Sequence, residues 1–378
     1  MNFGFTEDQE LLRSAARDFL ARECPMAHVR RMMEDARGFD DAQWAKMAEL
    51  GWLGLAIPET HGGAGLGFVD LVVLLEEMGR VVLPGPFFST AVVAASTLAD
   101  AASPSLQAEW LPKIAAGRAR GTLALLERSA RWDLDAIALE LHPDGGGYRL
   151  SGTKLLVPDA HTADFLLVAG RAPGSSGADG LSVLLVDAAD PGVRTTPLET
   201  MDQTRRLAEV QLRDVTVPKS RVIGEPGEGA AILGRLATRA KAGLAAEMCG
   251  GAARVLDICV DYAKVREQFG RPIGSFQAIQ HKCATMLVEV ESARSAAYYA
   301  AWAVGSDAPD AALAAAMAKA YASDAFRHVA AEGIQIHGGI GFTWEHDMHV
   351  YFKRAKSSEV SFGDAAWNRD VVARLIGL

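Results

Sequence analysis

The sequence is poor in the features that mark several protein classes. Its 378 residues include 4 cysteines, and Cys24, Cys249, Cys259 and Cys283 form no CxxC pair. This spacing excludes a dense disulfide framework and favours buried free thiols in a reducing cytoplasm. No run of about 18 apolar residues occurs, so we expect no membrane span. The opening "MNFGFTEDQELL" has acidic residues where a signal peptide needs a basic segment, so secretion is not expected.

Concentrated positive charge is also lacking. The formal net charge is −9, and no Lys/Arg-rich stripe is present, which argues against a nucleic-acid partner. Charged residues make up 22% and hydrophobic residues 49% of the chain, which is typical of a globular protein. The length allows two or three domains with sizeable cores.

The periodicity of the apolar residues divides the chain into three zones. Residues 1–117 have helical spacing, with Thr6 as the predicted N-cap of the first helix. Residues 118–223 contain the short strand-like runs "YRLSGTKLLV", "DFLLVAG", "LSVLLVD" and "EVQLRDVTV". Residues 224–378 return to helical spacing. The fold class is therefore α+β, with an N-terminal helical domain, a middle β-barrel or sandwich domain and a C-terminal four-helix bundle.

The bundle is predicted from four helical stretches. A long Ala-rich helix ends at "FGRPIG", and a second helix follows with Ser275 as its predicted cap. A third covers about residues 309–336, and a fourth begins near Ala365.

Three motifs do not support the chemistry that they first suggest. "HGGAGLG" at 61–67 fits no register of G-x-G-x-x-G, so we interpret it as a turn before a helix. "GEPGEG" at 224–229 lacks the Lys and Ser/Thr of a phosphate-binding loop, and its glutamates would repel phosphate. His337, His346 and His349 lack the spacing of a metal site, so no metal is predicted.

Two other motifs point to a nucleotide cofactor. In "YAKVREQFGRPIGSFQAIQ" at 262–280, Arg266 offers a fork for pyrophosphate, and Phe269 offers an aromatic face for adenine. In "QIHGGIGF" at 335–342, the glycines let backbone amides approach an anion closely. Either motif also has a structural interpretation, as an Arg that satisfies helix carbonyls or as a Gly-rich helix end. Together, in an α–β–α chain, they favour the cofactor.

With these motifs the whole chain resembles the acyl-CoA dehydrogenases. The similar segments include "LGWLGLAIPETHGGAGLG", "LRDVTVPKSRVIGEPGEG" and "QIHGGIGFTWEHDMHVYFKRAK". The resemblance implies FAD as cofactor, an acyl-CoA thioester as substrate and a dimer or tetramer. It assigns the binding of FAD to a set of nine residues, namely Arg266, Gln268, Phe269, Ile273, Phe276, Gln277, Gln335, Gly338 and Gly339.

The catalytic base that the resemblance implies is missing from this chain. The family removes the α-proton with a Glu, because the thioester α-proton is only weakly acidic. Aligning "KRAK" at 353–356 places Phe362 at the usual Glu, followed by Gly363 and Asp364. A minority of the family carries the Glu on the first long helix of the bundle, where this chain has Ala240.

The β domain departs from the family as well. Of the T-E-P-x-x-G-S-D loop, only Glu127 is clearly kept, and the W-I-T/S segment against the flavin becomes Leu156, Val157 and Pro158. Proline offers neither a backbone N–H nor a hydroxyl to a flavin. In the family each FAD lies at a subunit interface, and this chain keeps the residues for the neighbour's adenosine and pyrophosphate while it lacks those for its own flavin ring. The resemblance thus extends to small subunits of heteromeric acyl-CoA dehydrogenases that act on bulky acyl-CoAs, such as steroid side chains or dicarboxylic acids.

Two alternatives stay open. A homomeric enzyme would need a relocated base, for which Asp364 and Glu247 are the candidates; a buried pair of Glu247 with an arginine is the structural alternative. A third class would bind acyl-CoA without dehydrogenating it.

Overall fold

A computed structural model describes residues 5–378 and divides them into two compact units. The first, here called the helical unit, comprises residues up to Met33, Phe68–Leu83 and Lys241–Leu378. The second, here called the mixed unit, comprises Glu34–Gly67 and Pro84–Ala240. Within the described residues, no helix is both long and apolar enough to cross a membrane.

The helical unit contains the long helices of the C-terminal part of the chain. They are α7 (Gly229–Val265, which belongs to this unit from Lys241 onward), α8 (Gln277–Gly305), α9 (Ala311–His337), α10 (Met348–Val360) and α11 (Ala365–Leu375). Helix α9 packs against α8, α10 and α11, which confirms the predicted C-terminal bundle. A short hairpin of β9 (Glu267–Gln268) and β10 (Arg271–Pro272) joins α7 to α8.

Three helices from the N-terminal part of the chain complete this unit. Helix α1 (Glu7–Glu23) is followed by α2 (Met26–Glu34), and α4 (Phe68–Arg80) packs against α1 and α8. The prediction for Thr6 is confirmed. Its hydroxyl accepts a hydrogen bond from Gln9 N at 3.2 Å while the Gln9 side chain accepts one from Thr6 N at 3.1 Å, forming a capping box.

The mixed unit carries both large sheets. One has the order β1 (Gly121–Ala124), β4 (Phe165–Arg171), β5 (Leu181–Asp187) and β8 (Val222–Ile223), and β1 runs parallel to β4. The other is antiparallel, in the order β2 (Leu141–Asp144), β3 (Gly147–Pro158), β7 (Leu207–Pro218) and β6 (Val193–Leu198). Leu166 and Leu184 of the first sheet share a core with Leu150 and Val210 of the second, so the β zone is a sandwich.

Helices flank the sandwich in sequence. They are α3 (Asp41–Glu49), a π-helix (Phe88–Ala95), α5 (Ser96–Ala101) and α6 (Pro104–Ala115). The segment at 61–67 is a turn before α4, as predicted. The α–β–α order of the fold is therefore confirmed, whereas the domain limits 1–117, 118–223 and 224–378 remain predictions.

Two predictions about the bundle are wrong in detail. Ser275 does not cap α8, because its hydroxyl donates to Pro272 O at 2.7 Å and the helix begins after Phe276 without a side-chain cap. The helix that begins at Ala365 is α11, but the sequence prediction omitted α10 before it.

Candidate functional site

The hairpin after α7 gathers most of the residues that the sequence assigns to the cofactor. Arg266 follows the last residue of α7 and is exposed, and Phe269 lies at the hairpin turn with 92% of its surface accessible. The Phe269 ring meets the Phe276 ring edge-on at 6.1 Å, and the Arg271 guanidinium lies over Phe276 at 4.1 Å. Ile273 N donates to Arg266 O at 2.7 Å, which folds the segment back onto the end of α7.

The remaining residues of this set lie beside the same hairpin. Gln268 ends β9, and Gln277 is the first residue of α8; both are exposed. An aromatic ring that is almost fully accessible, next to an arginine, is costly to leave in water and suits a stacked ligand.

The second predicted segment lies at the end of α9. Gln335 is in its last turn, and Gly338 and Gly339 follow it; all three are exposed. The Tyr262 ring stacks on His337 with 4.3 Å between centroids, so the ends of α7 and α9 meet one turn before Arg266. The structure therefore brings the two motifs to the same end of the helical unit.

The open backbone at this end fits a phosphate-bearing group. Gly338 adopts φ 61°, ψ −138°, a conformation that favours glycine. A Cβ added at Gly338 or Gly339 would meet no atom within 4 Å. Packing within this chain therefore does not account for Gly339, and the space above it is available to a ligand that approaches the backbone closely.

The position of the family base is occupied by a buried aromatic ring. Phe362 is 8% exposed, with φ 56°, and Gly363 follows with φ 86°. A Cβ at Gly363 would lie 2.2 Å from a ring atom of Trp367, so only glycine fits there. Asn368 Nδ2 donates to Gly363 O at 2.9 Å and supports two successive left-handed residues.

A buried lysine that sequence reasoning missed also supports this loop. Lys319 Nζ donates to Gly363 O, Glu359 O and Ser323 Oγ, each at 2.9 Å. Burial lowers the pKa of Lys319 to about 7, and the positive charge of Lys241 acts in the same direction. The signal for Lys319 was a lone charge in the apolar run "AALAAAMAKAYA".

Lys241 is a second buried cation near this loop. Its Nζ lies 4.6 Å from the centre of the Trp367 ring, the same ring that packs on Gly363. Burial lowers the pKa of Lys241 to about 8, assisted by the like charge of Arg374. Two buried lysines, Lys319 and Lys241, therefore lie close to the loop that carries Phe362.

The two carboxylates considered as relocated bases have structural partners. Asp364 is exposed and caps α11, where its Oδ1 accepts from Trp367 N at 2.8 Å. Glu247 is buried in α7, and its Oε1 accepts from Arg354 Nη1 at 2.8 Å. The predicted alternative of a buried pair with arginine describes this Glu247 geometry. Ala240, at the other family base position, is fully buried and has no ionisable side chain.

In the mixed unit, the residue kept from the family loop is used for structure. Glu127 Oε1 accepts from the fully buried Lys154 Nζ at 2.7 Å and from Leu139 N at 3.0 Å. Leu156 has φ 53°, and Pro158 O accepts from Thr122 Oγ1 at 2.6 Å. Leu156 and Pro158 thus supply no side-chain donor to a flavin ring.

Of the three histidines in "IHGGIGFTWEHDMH", His337 and His346 pack together, whereas the His349 ring packs edge-on against Trp344. His337 Nδ1 donates to Gly333 O at 2.7 Å, and its ring lies 4.4 Å from that of His346. Burial lowers the pKa of His337, His346 and His349. Among residues 5–378, no group of three or more His, Cys, Asp and Glu side chains is placed to hold a metal ion.

Comparisons with known proteins cover nearly the whole chain. Three domain profiles match: acyl-CoA dehydrogenase N-terminal domain at residues 6–118, middle domain at 122–215 and C-terminal domain at 227–377. The acyl-CoA dehydrogenase IpdE2 of Mycobacterium tuberculosis (strain ATCC 25618 / H37Rv) is 38% identical over 357 residues, which are 93% of this chain and 92% of that protein.

Two solved structures of similar proteins are each named for two different proteins. The ChsE4–ChsE5 complex from Mycobacterium tuberculosis superimposes with a TM-score of 0.90 at 32% identity, covering 100% of both chains. A variant of the Tcur3481–Tcur3483 steroid acyl-CoA dehydrogenase gives a TM-score of 0.87 at 34% identity, covering 98% of both chains. On the profile matches and these identities, the chain belongs to the acyl-CoA dehydrogenase family.

Proposed function

We propose that this chain is the subunit of a heteromeric acyl-CoA dehydrogenase that holds the adenosine and pyrophosphate of FAD for a base-carrying partner. Members of the family oxidise the Cα–Cβ bond of acyl-CoA thioesters, and bound FAD accepts the hydride. The observation that carries the proposal is a contrast within this chain. The open end formed by Arg266, Phe269 and Gly339 is suited to a nucleotide, whereas position 362 holds a buried Phe ring.

We assign the nine predicted residues to the adenosine and pyrophosphate. Phe269 would stack on adenine, Arg266 would pair with pyrophosphate, and the exposed backbone at Gly338 and Gly339 would approach it. Gln268, Ile273, Phe276, Gln277 and Gln335 would complete the site. The exposed positions of Arg266, Phe269 and both glycines support this assignment, because nothing within the helical unit covers them.

The partner supplies what this chain lacks. A partner with a Glu at the position of Phe362 would provide the base, and its β domain would enclose the flavin ring. The names of the two similar structures, which each pair two chains, support a heteromer. A bulky acyl-CoA is the proposed substrate class, supported by the similar steroid acyl-CoA dehydrogenase. The cytoplasm is the proposed compartment, supported by the free thiols of Cys24, Cys249, Cys259 and Cys283.

Co-expression with neighbouring dehydrogenase-like chains tests the proposal. We expect the chain alone to retain little FAD, and the complex to contain one FAD for every two protomers. Anaerobic addition of acyl-CoA should bleach the flavin of the complex, which separates a dehydrogenase from an acyl-CoA-binding protein with other chemistry. Isolation of the chain by itself with one FAD per protomer and full acyl-CoA oxidation would overturn the proposal.

The homomeric alternative rests on Asp364 or Glu247 as base, and both remain predictions. Asp364→Asn and Glu247→Gln variants, each purified with the partner chain, decide between them. Loss of flavin bleaching in one variant, with FAD content unchanged, would identify that residue as the base. Equal bleaching in both variants and the wild-type complex would assign the base to the partner.

A further inference from the structure

The helical unit contains a cavity of about 430 Å³ away from the segments assigned to the cofactor. Its apolar wall includes Leu20, Met26 and Ile258. The Arg254 side chain, which lies on the exposed face of α7, also lines it, beside the buried Tyr351 of α10. A volume of this size is within the range of small-molecule sites, about 300–1,000 Å³.

Most charged groups around the cavity are paired with one another. The Arg17 guanidinium makes two hydrogen bonds to the Glu77 carboxylate, at 2.9 and 2.7 Å. Arg80 Nη2 lies 2.6 Å from Asp257 Oδ2. Asp347, the other lining carboxylate, pairs with Arg30, which donates to it at 2.8 Å.

Arg254 is the exception. Its guanidinium is close enough to the Tyr351 hydroxyl to act on the pKa of that phenol, and among residues 5–378 no carboxylate forms a salt bridge with it. The Tyr351 hydroxyl itself donates to Arg80 O at 2.7 Å, and burial raises the pKa of Tyr351, so the phenol stays neutral. One positive charge at the edge of a partly apolar cavity therefore has no carboxylate partner. Because a guanidinium fork matches two carboxylate oxygens, the missing partner is a single carboxylate.

We propose that this cavity is a binding site for a small monocarboxylate with an apolar body, held by Arg254. The carboxylate would pair with the guanidinium at the mouth, and the hydrocarbon would lie against Leu20, Met26 and Ile258. A second anionic group would meet Glu77 and Asp347, so a dicarboxylate is disfavoured. The cavity is lined by residues of this chain and includes none of the nine residues assigned to FAD.

Hexanoate, titrated into the purified full-length chain by calorimetry and by ligand-detected NMR, is the direct probe. We expect saturable binding of one hexanoate per chain, and much weaker binding of hexanol, which has the same hydrocarbon without the charge. Arg254→Gln should weaken hexanoate binding about tenfold or more, because the variant loses a charge-assisted hydrogen-bonded pair. A tenfold change in affinity corresponds to about 1.4 kcal/mol.

Arg22→Gln is the matched control, because Arg22 is an exposed arginine in the last turn of α1 and does not line the cavity. This variant should bind hexanoate as the wild type does. A Leu20→Phe variant, which fills the apolar wall, gives a second measurement and should lower affinity while leaving Arg254 in place. Equal affinities for hexanoate and hexanol, equal affinities of the Arg254→Gln and Arg22→Gln variants, or no binding of hexanoate at about 10 mM would each overturn the proposal.

Discussion

Lys319 shows how a single buried charge organises the loop that carries Phe362. Its ammonium has three donors, and each is used by a neutral acceptor, namely Ser323 Oγ and the carbonyls of Glu359 and Gly363. The cost of burying the charge is visible as the lowered pKa of about 7. The backbone geometry of the loop therefore depends in part on Lys319.

The buried lysine predicts a pH dependence of stability. Between its folded pKa of about 7 and its ordinary value of 10.5, the unfolded chain keeps the proton that the folded chain releases. The free energy of unfolding should therefore rise with pH over this range. Above pH 10.5 Lys319 is neutral in both states, so it should add no further pH dependence. Urea unfolding of the wild type and Lys319→Met at pH 6.5 to 9.5 measures the difference, and the variant should have the smaller slope.

Lys264→Met is the control for this experiment, because Lys264 is exposed and its ion pair with Asp261 is at the surface. Its slope should equal that of the wild type. Lys154 and Lys241, whose pKa values burial lowers to about 8, should leave some positive slope in every variant. Identical slopes in Lys319→Met and wild type would contradict the prediction.

From the buried pair of Glu247 and Arg354 we expect that changing Glu247 lowers the stability of the chain without abolishing acyl-CoA oxidation by the complex. Both side chains are buried, and Arg354 also donates to Leu83 O at 3.1 Å. Glu247→Gln leaves the guanidinium buried without its counter-charge, which should cost about 3–5 kcal/mol in urea unfolding. The double variant Glu247→Gln with Arg354→Met should be less destabilised than the sum of the single changes.

At the scale of elements, α4 and α7 cross at two glycines. A Cβ at Gly79 would lie 1.9 Å from Glu247 O, and a Cβ at Gly250 would lie 1.8 Å from Glu76 O. The helix backbones are therefore in direct contact, and any side chain at the crossing would push them apart. This close approach also fixes where Glu247 stands on α7.

Gly250→Ala should destabilise the protein by about 3 kcal/mol, because backbone atoms cannot move aside as a side chain can. Gly234→Ala is the matched change in the same helix, since a Cβ there meets nothing within 4 Å. It should raise the free energy of unfolding by about 0.5–1 kcal/mol through helix propensity. Thermal and urea unfolding of the two variants measure both effects, and equal effects of the two changes would contradict the crossing geometry.

Elements whose buried face is apolar could be predicted from the sequence, and those with a mixed face could not. Strands β4 and β5 are continuous apolar runs and were predicted to within a residue. Helix α10 was missed because its buried face includes Arg354 and Ser358, which hide the helical spacing of apolar residues. Ser275 looked like a cap, but capping depends on where the turn of Pro272 directs its hydroxyl.

Some residues of the candidate site could likewise be predicted from the sequence, and others could not. Arg266, Phe269 and the glycines after His337 were found from their local motifs, because exposed aromatic and Gly-rich segments are unusual in sequence alone. The supports of position 362 were not found, since Lys319 and Trp367 are distant in sequence from their contacts. The lack of a carboxylate partner for Arg254 could not be predicted either, because the residues around it come from four other helices.

At the scale of the molecule, the proposed role predicts that FAD retention by the complex and the stability of this chain depend on different residues. Arg266 and Phe269 are exposed, and they contribute little to the packing of the helical unit. Changing them should therefore leave folding intact while it weakens the hold on the cofactor of the partner. A residue that supports the fold would instead lower both quantities together.

Arg266→Gln and Phe269→Ala, each purified with the partner chain, test this separation. Each variant should lose FAD during dialysis about tenfold faster than the wild-type complex, since a charge-assisted pair or a stacked ring contributes about 1–2 kcal/mol. Urea unfolding of the isolated variants should match the wild type within about 0.5 kcal/mol. Lys264→Gln, two residues before Arg266 and equally exposed, should change neither quantity. Unchanged FAD retention in both variants would place the adenosine and pyrophosphate elsewhere, because the hairpin would then contribute neither charge nor stacking to them.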